Sequence, residues 1–285
     1  MLTVLVVLYD IEFMDSITLN TLYRLNLAGK LSNQCNLVIH NNGPRSLKDK
    51  FNTCSLVLNL REQFCQVSFK EDKNNSALSH VYNDLGKESS CLILDQDTTI
   101  TLGYISSLES FMKTKEELLI PIVKVGSTFC YPKEKGKIVI NMKEGIRPLN
   151  KVISIMSGTC IKPSLIDKLE QKFITTFDDR FAFYGVDTTF FLRCRRVKLK
   201  QYYLAAAIKH DLSSVTESEL SNFRLEERLI DSVLQLRVYP SLGAIKGALL
   251  FMMSINKIRL LKHAKLLFKV FLIGKHPRLW DRNEK

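Results

Sequence analysis

One short stretch constrains this chain more than any other. Cys91-Leu92-Ile93-Leu94 is an unbroken apolar run, too short for a helix, and it stops at two carboxylates one residue apart, Asp95 and Asp97. Four apolar residues flanked by polar ones fit a strand buried on both faces, as parallel strands are. Ligands of open parallel sheets bind just beyond the carboxyl ends of such strands. That is where Asp95-Gln96-Asp97-Thr98 falls. Two neighbouring carboxylates repel unless a cation sits between them, and a hard divalent ion with phosphate ligands suits such a pair. The competing reading is a cap for the helix that follows.

The chain has 285 residues, enough to bury a real core as one large domain or a domain with an appendage. Its seven cysteines are far apart, with no C-x-x-C pair, so they read as core residues in a reducing compartment. The first residues, Met1 to Tyr9, lack the basic start and cleavage site of a signal peptide and read as a buried strand. No run reaches the 18 or so apolar residues of a membrane span. A cytoplasmic protein is expected. The net charge is +12, and ten Lys/Arg against two carboxylates between Lys246 and Lys285 give +8 of it. A basic appendage is therefore expected, rather than a uniformly basic nucleic-acid binder.

Taken in order, Met14 to Gly29 reads as a helix and Asn36 to His40 as a second buried strand, stopped by Asn41-Asn42-Gly43-Pro44. Cys65 to Phe69 alternates like a third strand, and Asn75 to Glu88 reads as a helix leading into the Asp95 strand. This alternation implies a right-handed, mostly parallel sheet. Val152 to Met156 reads as a further strand, broken at Ser157-Gly158-Thr159, and Pro163 opens a helix. Asp187 is expected at the N-cap of a helix over Thr188 to Arg196, and Tyr202 to Ile208 reads as a late strand followed by Lys209-His210-Asp211. Three helices follow: Leu220 to Tyr239, the nearly all-apolar Leu242 to Ile255, and Lys257 to Ile273. In the last, Leu260, Ala264, Leu267 and Phe271 mark one face and Lys262, Lys265 and Lys269 another.

These stretches together resemble a family 2 glycosyltransferase of the nucleotide-sugar-binding, Rossmann-like GT-A fold, and Leu94-Asp95-Gln96-Asp97-Thr98 resembles its rhamnosyltransferase-like members. The resemblance covers residues 1 to 215, the expected catalytic domain, and leaves 216 to 285 as a helical C-terminal region. It rests on five landmarks in order: the first strand with Tyr9-Asp10, Asn41-Asn42-Gly43, Asn75 through Asn83, the acidic triplet, and Ser157-Gly158 through Asp187 and His210. Asn41 stands where the family has an Asp, and Ala77 where it has a glycine.

The resemblance implies nucleotide-sugar contacts at Tyr9, Asn41, Asn75, Asn83 and Asp95, and a divalent metal, Mn2+ or Mg2+, on Asp97 and His210. It implies Asp187 as the base of an inverting transfer, and acceptor contacts at Ser157, Gly158 and Thr159. The expected donor is dTDP-rhamnose or a UDP-hexose. The expected acceptor is a polyprenol-linked glycan of an O-antigen or capsule, met at the anionic inner face of the membrane without nucleic acid. Arg193, Arg195 and Arg196 read as a diphosphate-neutralising group or, more simply, a solvated helix face. The opposing class is a noncatalytic protein that binds nucleic acid or membrane through its charge alone.

Overall fold

The computed structural model describes residues 1–31, 34–139, 143–210, 222–255 and 257–280. At its centre β1 (Leu2–Leu8) pairs in parallel with β2 (Cys35–Asn41) on one side and β4 (Ser90–Asp95) on the other, and β2 pairs in parallel with β3 (Gln66–Glu71). Next to β4 lies β12 (Thr159–Ile161), antiparallel to it and to β6 (Leu118–Val125); β13 (Gln201–His210) then pairs in parallel with β6. Two short strands attach to this sheet, β5 (Thr98–Thr99) on β13 and β7 (Thr128–Tyr131) on β6, and β10 (Gly145–Pro148) closes its far edge. A separate ribbon joins β8 (Lys133–Glu134), β9 (Lys137–Ile138) and β11 (Val152–Ile153).

Both faces of the sheet are covered, which is why its central strands carry no polar alternation. On β4, Cys91 and Ile93 enter one core and Leu92 and Leu94 the other, all at most 2% exposed. Helices α1 (Ile17–Leu25), α2 (Leu27–Lys30), α3 (Ser55–Gln63) and α5 (Leu102–Met112) line one face; α4 (Leu78–Asn83), α6 (Pro163–Phe173) and α7 (Val186–Arg196) line the other.

The strand β6 has no counterpart in the sequence reading, because Pro121 argues against a central strand. Pro121 pairs with Ala205, where the register between β6 and β13 shifts at a bulge, an irregularity at which strands accept proline. The strand expected over Val152 to Met156 is shorter. Only Val152 and Ile153 pair, and the strand that enters the main sheet is Thr159–Ile161. The helix expected over Asn75 to Glu88 is Leu78–Asn83. Asp211 and Leu220 lie outside the described residues.

The C-terminal helices α8 (Asn222–Val238), α9 (Leu242–Met253) and α10 (Lys257–Ile273) are joined to the α/β unit by a shared core. Leu229, Ile230, Leu234, Tyr239, Leu267 and Val270 belong to the same buried cluster as Phe181 and Phe190. A polar tie reinforces it. Arg193, one of three arginines that read as a diphosphate-neutralising group or a solvated helix face, is 3% exposed. Its Nη2 lies 3.2 Å from Asp178 Oδ2, which also accepts from Tyr239 Oη at 2.6 Å and from Arg180 Nη2 at 2.7 Å. Although burial acts the other way, these donors hold the Asp178 carboxyl below the usual carboxylate range. Removing one partner of a buried pair leaves the other's charge uncompensated, so Asp178→Ala is expected to cost roughly 3–5 kcal/mol in urea unfolding. A loss below about 1 kcal/mol would show that the tie is dispensable.

Candidate active site

The acidic triplet ends β4 on a turn that other elements clamp. Ser16, the N-cap of α1, donates to Gln96 O at 3.1 Å; Thr18 Oγ1 donates to Asp95 O and accepts from Thr98 N at 2.9 Å. Gln96 Oε1 accepts the Tyr9 N–H at 2.6 Å, tying the turn to the end of β1. From behind, Ser157 Oγ accepts from Asp95 N at 3.0 Å and lies 2.6 Å from Thr98 Oγ1.

His210 ends β13 against this turn. Its Nδ1 lies 3.1 Å from Asp97 Oδ1 and its Nε2 3.6 Å from Asp95 Oδ2. Burial disfavours its charged form, yet bonding to Asp97 and the nearby carboxylates outweigh this and raise its pKa. Burial also raises the Asp95 carboxyl, against the pull of His210. One ligand atom from each of Asp95, Asp97 and His210 falls within 4.8 Å of the others. Two carboxylates and an imidazole are a donor set that Mn2+ accepts. These residues could hold a divalent cation.

They open into a cavity of about 570 Å³. At one end are Tyr9, Asn42 and Asn75. Here the structure separates two adjacent asparagines. Asn41 turns inward, donating to Arg45 O at 2.6 Å and Glu71 Oε2 at 2.9 Å and accepting from Gly43 N, so its polar atoms are spent within its own turn. Asn42 lines the cavity at 1% exposure, with Nδ2 on Asn75 Oδ1 and Ser76 O and with Oδ1 unpartnered. Asn83 is also turned away. It exchanges hydrogen bonds with the backbone of Phe177, at 3.0 and 2.8 Å, and pins α4 to that loop.

At the other end Asp187 faces the triplet. Gly185, with φ +83°, is the N-cap of α7, so Asp187 lies in the helix's first turn rather than at its cap. Burial first, then the Asp95 charge, push its carboxyl up to about 7, against a hydrogen bond from the Met156 backbone. Asp178 is consumed in the buried ion pair and Asp179 is exposed, so neither competes for this position. Ser157, Gly158 and Thr159 do not face the cavity: Ser157 and Thr159 are fully buried, and Thr159 Oγ1 bonds Ile155 O. Gly158 adopts φ +78°, and a Cβ there would stand 2.8 Å from Pro121 Cγ. The residues just before them, Ser154 to Met156, line the cavity instead. Tyr82, Arg228 and Asp231 line it too, and sequence reasoning singled out none of them. Asn42 had a signal in its neighbour Asn41; Arg228 and Asp231 had none beyond a polar helix face.

No family model matches the chain, and no curated protein matches it in sequence. Solved structures match in fold. The 1–349 segment of S. aureus TarS superposes over 97% of this chain and 81% of its own, at TM-score 0.54 and 11% identity. The same segment in complex with UDP-GlcNAc gives 96% and 79%, at 0.54 and 12%. GalNAc-T7 with UDP, GalNAc and Mn2+ covers 82% of this chain and 47% of its own, at 0.53 and 12%. The fold is GT-A, as expected.

The cation site can be tested without a nucleotide. Mn2+ alone, followed by calorimetry, should bind the wild-type protein. Asp97→Ala should weaken binding at least tenfold, and His210→Ala less, as one neutral ligand among several. Unchanged Mn2+ affinity in Asp97→Ala would sink the assignment.

Proposed function

We propose that the protein is an inverting glycosyltransferase that moves a sugar from a nucleoside diphosphate to a saccharide acceptor. The observation that carries this is one cavity holding Asp95, Asp97 and His210 at one wall and a neutralisable carboxyl, Asp187, at another. Neighbours of the same fold, solved with UDP-GlcNAc or with UDP and Mn2+, support a UDP-sugar donor. Asn42 suits the base end. It lines the cavity with Tyr9 and Asn75, and nothing in that lining separates uracil from thymine, so dTDP-rhamnose and a UDP-hexose both stay in view.

Asp187 accepts the proton of the acceptor hydroxyl as that oxygen attacks the anomeric carbon from the face opposite the departing diphosphate. A divalent cation, when held by Asp97, His210 and Asp95, supplies positive charge against that leaving group. The clamp on the triplet from α1 and Ser157 fixes the carboxylates before substrate arrives, so little reorganisation is needed during transfer.

The acceptor on this reading is lipid-linked, as in O-antigen or capsule assembly, and the enzyme works at an anionic inner membrane face. No helix among the described residues is long and apolar enough to cross a membrane. The support for surface docking comes from α9 and α10. The sequence has no acidic residue between Asp231 and Asp281. Leu242, Leu250 and Met253 of α9 are 87%, 58% and 80% exposed, and Leu261, Phe268 and Leu272 of α10 are 73%, 66% and 61% exposed. The face of α10 turned to the core carries Leu267 and Val270; Ala264 and Phe271, read as sharing a face with Leu267, are exposed. Large apolar side chains beside lysines, without carboxylates, fit an anionic lipid surface.

Two measurements follow. Asp187→Asn should leave binding of UDP with Mn2+ nearly intact while lowering turnover of a UDP-sugar about a hundredfold or more. A raised carboxyl is a base only above its pKa, so wild-type transfer should fall as pH drops through an acid limb no higher than about 7. Full turnover in the variant would move the base elsewhere; binding of nucleic acid with no metal-dependent affinity for UDP would favour the noncatalytic class. For the surface, changing Lys246, Lys262 and Lys265 to Gln should release the protein from phosphatidylglycerol vesicles without altering its melt, at about 1 kcal/mol per lysine. Salt at 1 M, where the Debye length is about 3 Å, should do the same. Co-sedimentation insensitive to both would retire the membrane reading.

A further inference from the structure

Helix α8, which the sequence assigned to an appendage, is a wall of the transfer cavity. Arg228 and Asp231 lie three residues apart on it, on one face, and both line the cavity with Asp187. Asp231 is held in place. Gln235 Nε2 donates to its two oxygens at 3.1 and 2.9 Å. Gly185 gives it room, because a Cβ at that position would stand 1.9 Å from Asp231 Oδ1. The bare backbone at the start of α7 is thus what lets a carboxylate of α8 come close to the catalytic helix.

This carboxylate is poorly compensated. Burial pushes it up to about 7, and the groups favouring its ionised form are the Gln235 amide and the Arg228 guanidinium. Arg228 is itself steadied over the Tyr184 ring, 5.4 Å from its centroid. A half-buried anion with so few partners weakens the fold, and such groups gather where a ligand completes them.

Its place relative to Asp187 indicates which ligand. Asp231 Oδ1 stands against Gly185, two residues before Asp187 at the start of the same helix, and both carboxylates line one cavity. In a displacement with inversion, the incoming hydroxyl must reach the base, so a carboxylate beside the helix that carries Asp187 is placed to meet the acceptor.

We propose that Asp231, seated beside Arg228, binds the acceptor: its carboxylate accepts hydrogen bonds from the hydroxyls of a saccharide or polyol lodged between α8 and Asp187. The proposal rests on the glycosyltransferase reading of the cavity. It makes α8 a determinant of acceptor choice.

Asp231→Asn keeps the side chain's shape and can still accept from Gln235. Three readings are compared with wild type: calorimetric affinity for UDP with Mn2+, nucleotide release from UDP-GlcNAc in water alone, and release with methyl hexosides or glycerol added. The first two should stay within about twofold. Stimulation by the added hydroxyl compounds should fall about tenfold or more in kcat/KM, mainly through KM, with a melting temperature no lower than wild type. Retained stimulation would overturn the proposal, and so would absence of stimulation in wild type by every probe. A joint fall in UDP affinity and melting temperature would overturn it in favour of a structural role. Failure of wild type to bind UDP at all would instead remove the glycosyltransferase reading itself, which the first measurement detects separately.

Discussion

Asp95 and Asp97 stand at the end of a strand whose apolar side chains are all buried, and like charges so placed need something positive facing them. Much of the architecture around the site answers that need. β13 runs parallel to β6 so that its last residue, His210, arrives beside both carboxylates, and β5 pairs with that same end. α1 begins with Ser16 and Thr18 in position to hold the turn's carbonyls, and Ser157 secures the Asp95 backbone from below. Histidine answers the repulsion in part. One imidazole faces two carboxylates, and a cation with a diphosphate would complete the balance.

The residues legible in the sequence were those whose chemistry breaks a local pattern. The triplet interrupts an apolar strand, Asp187 opens a helix, and His210 closes a strand; each is polar where the neighbouring elements are buried. The central parallel strands were legible for the converse reason, as uninterrupted apolar runs. What stayed hidden depended on side-chain direction or on distant partners. Asn41 and Asn42 are identical in type, and only the turn after β2 determines that Asn42 faces the cavity while Asn41 spends its bonds on Arg45, Glu71 and Gly43. Ser157-Gly158-Thr159 has acceptor-like polarity, yet the sheet consumes all three. Pro121 concealed a central strand because the compensating bulge lies in β13, about eighty residues away in sequence. Arg193 resembled a solvated cation because its partners, Asp178 and Tyr239, come from a loop and from the end of α8.

That last pair shows how the helices after residue 215 join the α/β unit. Charge and helical periodicity change after residue 215, and the change is real on the outer surface of α9 and α10. It says nothing about the inner surface of α8. There Leu229, Ile230 and Leu234 share the core of the α/β unit, and Arg228 and Asp231 enter the cavity.

A helix packed between the cavity and two exposed amphipathic helices carries a geometric consequence. α9 and α10 both pack on α8, and the Tyr239–Asp178–Arg193 tie fixes the end of α8 to the loop that precedes Asp187. A protein held at a lipid surface by α9 and α10 would therefore present its cavity at a height and orientation set by their packing on α8. Acceptors carried on a lipid have little freedom along the membrane normal, so this placement would reduce the ordering cost of bringing a hydroxyl to Asp187.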